Sequence, residues 1–238
     1  MEIYRHTESV HNLETPRHVV PEIVRQLQPK SVLDVGCGIG TWLKVFEEQG
    51  VVDILGLDGE HVDRSLLKIN PNQFKVQNLL TTWSLSRKFD LVVSLEVAEH
   101  LPEHVSDSFV ETLVKHGNSI LFSAAIPKQD GQNHLNEQWP SYWQEKFRKH
   151  GFYFHDVLRH LFWGNPEVQW WYSQNMFLIT DEPQFKPILS LVHPSLFLER
   201  TRVAEAALEG DLGVKLSASI LMKALRKWIG KKRRLPVG

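Results

Sequence analysis

The 238-residue sequence predicts an α/β fold: a seven-stranded, mostly parallel sheet with helices on both faces, followed by a helical C-terminal extension. Two observations carry this expectation. Short apolar runs alternate with amphipathic stretches along most of the chain, the pattern of β-α-β units. Three of those runs, at 32–35, 91–95 and 119–124, are almost continuously apolar, as strands covered on both faces must be.

The elements follow in order. Residues 1–20 are polar and irregular, and Pro21 is placed to open a helix that Pro29 ends. Ser31 to Val35 forms a first strand, which stops at the glycine-rich stretch Gly36-Cys37-Gly38-Ile39-Gly40. The next helix puts Trp42, Leu43, Val45 and Phe46 on its apolar stripe and Glu47, Glu48 and Gln49 outside, with Gly50 as its end. Further strands are expected at 52–58, 74–77, 89–95 and 119–124, with the clearest intervening helix over 105–115. A helix over 142–149 and strands at 152–158 and 174–180 complete the sheet. Residues 159–173 lack periodicity and read as a loop. Two prolines, Pro183 and Pro187, mark a boundary between a body over residues 1–182, which includes a polar N-terminal arm, and a helical extension over 183–238.

Composition narrows the function classes. Hydrophobic residues make up 42% of the chain and charged residues 23%, which builds a real core and excludes a disordered chain or a coiled-coil rod. No apolar run is long enough to span a bilayer, and the N-terminal residues are polar rather than signal-like. The single cysteine, Cys37, forms neither an internal disulfide nor a cysteine-based metal site, so a reducing, cytoplasmic location is expected. The net charge of −1 conceals an asymmetry: eight of the 27 Lys/Arg lie in residues 215–238, which hold no acid, leaving 19 bases against 28 acids elsewhere. An acidic body argues against general nucleic-acid binding.

The turn Asp34-Val35-Gly36-Cys37-Gly38-Ile39-Gly40 follows a strand and opens a helix. Dinucleotides bind at such turns, with a pyrophosphate on the helix N-terminus. Here Asp34 sits beside the turn, poorly suited to a pyrophosphate and well suited to an amine. Asp58, which ends the second strand 18 residues after Gly40, is placed to accept two ribose hydroxyls. The ligand implied has a ribose and an amine but no phosphate. The sequence VLDVGCGIG resembles the glycine motif of the class I S-adenosylmethionine-dependent methyltransferases, over roughly residues 30–180. The resemblance implies a Rossmann-like fold and S-adenosylmethionine as cofactor. It implies Asp34, Gly36, Cys37, Gly38 and Gly40 around the amino-acid part, and Asp58 at the ribose. It implies Asn78 and Leu79, after the third strand, at the adenine, and Leu95, ending the fourth, among the cofactor-binding residues. Many members carry Asp where this chain has Asn78.

Strand four ends in Glu96-Val97-Ala98-Glu99-His100, at the sheet edge where ligands bind in such folds. Three readings of these groups stand side by side: a structural cap on the next helix, a general base at His100, or a divalent metal site of mixed carboxylate and imidazole ligands. His134 is the best candidate for a further ligand. The arrangement is similar to the metal-binding Glu-x-x-Glu-His motif of the small-RNA 2′-O-methyltransferases and to the same pattern in the ubiquinone-biosynthesis O-methyltransferases. That similarity implies Glu96, Glu99, His100 and His134 as ligands of Mg, Mn, Zn or Fe, and as the catalytic groups.

Twelve aromatic residues crowd into 139–172. Trp139, Trp143 and Phe147 share a helical spacing that reads as core, whereas Trp163, Trp170 and Trp171 fall in the expected loop, where they suit a sugar, an aromatic ring or a lipid. Near the C-terminus, Leu216, Ile220, Leu221, Ala224, Leu225, Trp228 and Ile229 form one face of a basic amphipathic helix. It suits docking on the chain's own acidic body or a partner protein, on an anionic membrane surface or on a nucleic acid. The reading as a whole is an O-methyltransferase acting on a small molecule or glycan. The alternatives are an RNA 2′-O-methyltransferase and a non-catalytic cofactor-binding regulator.

Overall fold

The computed structural model describes residues 11–209 and residues 217, 218, 221 and 222. Seven strands form one sheet: β1 (Ser31–Val35), β2 (Asp53–Asp58), β3 (Phe74–Val76), β4 (Leu91–Leu95), β5 (Ser119–Ser123), β6 (Tyr153–His155) and β7 (Phe177–Thr180). Their order is β3-β2-β1-β4-β5-β7-β6. All neighbours pair in parallel except β7, which runs against both β5 and β6.

Each face of the sheet carries its own apolar core. On one, α1 (Glu14–Leu27) and α2 (Thr41–Glu48) pack with α5 (Leu158–Phe162) and α6 (Trp170–Asn175), burying Val19, Ile23, Leu43, Phe46, Leu158 and Tyr172. On the other, α3 (Ser106–His116) and α4 (Pro140–Arg148) bury Phe109, Leu113, Trp143 and Phe147 against Phe122 and Phe154. The central strands β1 and β4 are thus covered twice, which explains their unbroken apolar sequences.

Several boundaries differ from the sequence expectation. Helix α1 begins at Glu14, so Pro21 lies inside it rather than opening it. An internal proline costs about 3 kcal/mol. Val19, Val20 and Ile23 are each fully buried, and at roughly 1.5–3 kcal/mol per buried aliphatic side chain they outweigh that cost. Residues 159–173 are only partly a loop: 159–162 and 170–173 belong to α5 and α6, each too short to show a helical period, and 163–169 connect them. Gln174 and Asn175 end α6 instead of starting a strand, and β6 stops at His155. Trp139 precedes α4 and is 38% exposed, so of the expected core trio only Trp143 and Phe147 are core.

The chain divides into two compact units, Met1–His193 and Pro194–Gly238. The second contains α7 (Pro194–Leu208). Most of the basic amphipathic helix lies outside the described residues, as do residues 1–10 of the N-terminal arm. No described helix is long and apolar enough to cross a membrane.

Two glycines set the geometry between β1 and its neighbours. Gly36 has φ +84°, and a Cβ there would lie 2.4 Å from Val97 Cγ2. Gly56, opposite Asp34 in the sheet, leaves room for the Cys37 side chain. Gly36→Ala should therefore cost ~2–5 kcal/mol, from a left-handed backbone plus overpacking. A fall in the urea unfolding midpoint at constant slope would register it.

Candidate active site

The strand order reverses between β1 and β4, and ligands of open parallel sheets bind beyond the carboxyl ends of the strands at that point. Four acids end up there: Asp34 from β1, Asp58 from β2, and Glu96 and Glu99 just after β4.

Asp58 is anchored by backbone. It accepts hydrogen bonds from Gly38 N–H at 2.7 Å and Gly59 N–H at 2.6 Å. The glycine turn is further tied down by Gly36 and Cys37 N–H groups, both donating to Leu57 O (2.8 and 3.2 Å), and by Gly40 N–H donating to Cys37 O at 2.8 Å. Asp34 is only 2% exposed, and its Oδ2 accepts no hydrogen bond among the described residues. Burial, then the charge of Asp58, holds its carboxyl well above the usual range. A buried carboxylate oxygen without a partner is costly in the free protein and is relieved by a cationic ligand.

The remaining cofactor-side candidates lie around this pair. The Cys37 side chain turns into the core, and burial pushes its thiol up, so it is no nucleophile. Leu95 ends β4 and is buried. Leu79 packs on the second core. Asn78 is exposed, its Oδ1 accepting from Leu80 N–H at 2.9 Å.

Beyond β4 the backbone turns sharply: Glu96 has φ +54°, and a 3-10 turn spans Ala98–His100. The loop after β5 folds back onto this turn, with Leu135 N–H (2.8 Å) and Asn136 N–H (3.0 Å) both donating to Glu99 O. His134 thereby reaches the same place. Glu99, His100 and His134 each offer one ligand atom, all within 4.8 Å of one another. The two imidazole rings meet edge to face at 4.9 Å. Glu137, three residues after His134, accepts from Lys128 N–H at 2.8 Å and Asp130 N–H at 2.5 Å and lies 3.0 Å from His134 Nδ1. A carboxylate behind an imidazole fixes its ring orientation and directs the other nitrogen inward.

Glu96 is not in that group of three. Its Oε2 accepts from Gln129 Nε2 at 3.0 Å and its Oε1 from Asn175 Nδ2 at 3.1 Å. Glu99 is fully buried beside it, and neither Glu99 oxygen receives a well-formed hydrogen bond among the described residues. Burial and the charge of Glu96 raise the Glu99 carboxyl well above its ordinary value, and burial also raises Glu96. Burial and the neighbouring His134 lower His100 to about 4, so its imidazole is neutral at physiological pH.

Aromatic residues occupy α6 and its surroundings. Trp170 and Trp171 are half-buried, with ring centroids 5.5 Å apart, and Trp163 lies 4.9 Å from the His193 ring. Thr15 at the start of α1 is joined to this region by Gln169 N–H donating to its Oγ at 2.9 Å. His11 is half-buried and close enough to His100 for their charges to interact.

The methyltransferase domain family matches residues 6–165. The chain belongs to that family. It is a class I S-adenosylmethionine-dependent methyltransferase. This methyltransferase is 32% identical over 106 residues to the ubiquinone biosynthesis O-methyltransferase of Acinetobacter baumannii, a match covering 41% of this chain and 44% of that protein, under half the relative's length. Among solved structures, the amino pentose methyltransferase CalS10 from Micromonospora echinaspora is similar in fold (TM-score 0.54, 13% identity, 76% of this chain and 99% of that one). So is the methyltransferase domain of a bacterial Hen1 (TM-score 0.52, 17% identity, 71% and 100%).

Sequence reasoning missed Gln129, Glu137, Gln174, Asn175 and His11. The spacing of Glu137 from His134 was a usable signal; the amides, 33 to 79 residues from Glu96, gave none.

Asp34 also supplies a test. Its raised carboxyl contributes stability that is fully present below the unfolded value near pH 3.9 and is lost as pH rises through the folded value. Asp34→Asn should make the cofactor-free methyltransferase more stable than the parent at pH 8, with the gap closing towards pH 4 in urea titrations. The same change should weaken S-adenosylhomocysteine binding by roughly tenfold to a hundredfold, the worth of one charge-assisted hydrogen bond.

Proposed function

We propose that this methyltransferase methylates a hydroxyl oxygen of a small molecule or glycan, assisted by a divalent cation held by Glu99, His100 and His134. Bound S-adenosylmethionine supplies the methyl group: as the acceptor oxygen–carbon bond forms, the carbon–sulfur bond breaks, a thioether leaves, and the hydroxyl proton is released. Asp34 receives the ammonium of the cofactor, and Asp58 uses its remaining lone pairs for the ribose hydroxyls. Gly36, Gly38, Gly40 and the backbone of Cys37 surround the amino-acid part. Asn78 and Leu79 lie at the base, and Leu95 is a further cofactor-side residue.

The observation that carries the cation reading is Glu99. A fully buried carboxyl group whose oxygens receive no well-formed hydrogen bond among the described residues, facing two imidazoles, fits a hard or borderline cation such as Mg, Mn, Zn or Fe. Glu137 behind His134 supports the same reading. A cation there lowers the pKa of an acceptor hydroxyl. His100, neutral near pH 7, is the group that takes the proton if no cation participates. The half-buried tryptophans of α6 suit a ring-bearing acceptor, and the acidic body disfavours RNA. The name of the Acinetobacter relative supports oxygen as the acceptor atom.

His100→Ala should lower turnover by about 10²–10⁴-fold while S-adenosylhomocysteine affinity stays within twofold. Labelled methyl transfer to a panel of catechols, sugars and alcohols measures the first, and unchanged turnover would remove the proposal. Treatment with EDTA should abolish transfer, and Mn²⁺ or Mg²⁺ should restore it. Activity that survives EDTA would leave His100 as an unaided base.

A further inference from the structure

Glu96 and Glu99 stand in the same short motif but are treated differently by the fold. Neither Glu99 oxygen receives a well-formed hydrogen bond among the described residues, and its carboxyl lies against that of Glu96, whereas Glu96 is enclosed by amides. Gln129, Gln174 and Asn175 are all buried, at 6%, 1% and 2% exposure. Beyond its bond to Glu96, Asn175 Nδ2 donates to Gln129 Oε1 at 2.9 Å. Gln174 Nε2 donates to Gln129 Oε1 at 3.1 Å and to Asn175 Oδ1 at 3.0 Å. The Glu96 backbone is fixed at the same time, its N–H donating to Ser123 O at 3.1 Å and Ser123 Oγ at 2.9 Å.

This enclosure has a structural consequence. A non-glycine residue at φ +54° costs about 1–3 kcal/mol and persists only where its surroundings over-determine it. The amides and Ser123 are those surroundings. They hold the bend after β4, and the bend decides where Glu99 and His100 point, three and four residues later.

We infer that Gln129 and Asn175 are positioning residues: their amides withdraw Glu96 from the cation's ligand set and fix the turn that presents Glu99 and His100 to His134. The network continues outward. Gln174 Oε1 accepts from His193 N–H at 2.7 Å, and His193 Nε2 lies 2.9 Å from Trp163 O. The aromatic acceptor side and the three-residue group are therefore joined through Glu96. The inference rests on the proposed function for its choice of a cation as probe, and it adds that Glu96 acts through other residues rather than as a ligand.

Mn²⁺ binding to the full chain, followed by electron paramagnetic resonance, tests it, with S-adenosylhomocysteine affinity as a control expected to stay within twofold. Glu99→Gln should lose more than a thousandfold in Mn²⁺ affinity. Glu96→Gln and Asn175→Leu should each lose roughly tenfold to a hundredfold, as removal of a ligand's supporting partner does. The double variant should be no worse than the weaker single one, because both act on one network. Gln129→Met serves in place of Asn175→Leu if the latter does not fold. Equal losses for Glu96→Gln and Glu99→Gln, or additive losses in the double variant, would overturn the inference by making Glu96 a ligand. If the parent binds no Mn²⁺, the cation reading fails on its own. The histidine ¹³Cε1 resonances, assigned with His100→Gln and His134→Gln, then decide the positioning role: they should move in Asn175→Leu, and their staying in place would refute it.

Discussion

The constraint on which the site depends is the crowding of four carboxyl groups at the carboxyl ends of three adjacent strands. Asp34, Asp58 and Glu99 are buried and Glu96 is half-buried within one small region, where each unpartnered carboxylate is expensive. The fold meets that cost for two of them only. Asp58 has the N–H groups of Gly38 and Gly59; Glu96 has the amides of Gln129 and Asn175. Asp34 and Glu99 keep oxygens with no partner among the described residues. The two halves of the site thus share one arrangement: an acid satisfied by the protein shapes the backbone, and a neighbouring acid is left for something else. On the β1–β2 side that arrangement suits an ammonium, and on the β4 side a cation.

The same constraint accounts for the glycines and the bends. Two acidic loops can approach across the β1/β4 junction only if the backbone between them lacks bulk, and Gly36 passing Val97 meets that need. The strain of Glu96 is matched by Asn133, Lys128 and Asp130, all at positive φ in the loop that carries His134. Asn and Asp tolerate that region better than most residues. Glu137 gathers this loop by accepting two of its N–H groups. Strained turns on both sides of the three-residue group are therefore held by side-chain acceptors rather than by regular structure.

Much of this was legible in the sequence, for physical reasons. Seven strands, the glycine turn, Asp34, Asp58 and the Glu-x-x-Glu-His run all depend on local pattern: continuous apolar runs for doubly covered strands, and charge at strand ends. What stayed hidden was either too short for periodicity or non-local. Helix α5 has five residues and α6 has six, less than two turns each, so no amphipathic period could emerge before tertiary contacts fixed them. Helix α1 was misplaced because a proline signal was weighed above the buried stripe around it. The division of labour between Glu96 and Glu99 had no sequence signature, since it is set by amides from the loop after β5 and from the end of α6.

That division also ties the aromatic segment to Glu99, His100 and His134, although it supplies none of the three. Asn175 ends α6, and Trp170 and Trp171 begin it. A helix of six residues is held by packing, not by its own hydrogen bonds, so its position follows what its tryptophans touch. Its last side chain is bonded to Glu96, and the bend at Glu96 aims Glu99 and His100. Under the proposed function, an acceptor seated against the indoles acts on the same short connection that orients Glu99 and His100. Under the proposed function, recognition of the acceptor and alignment of the chemistry are two ends of one buried hydrogen-bond network.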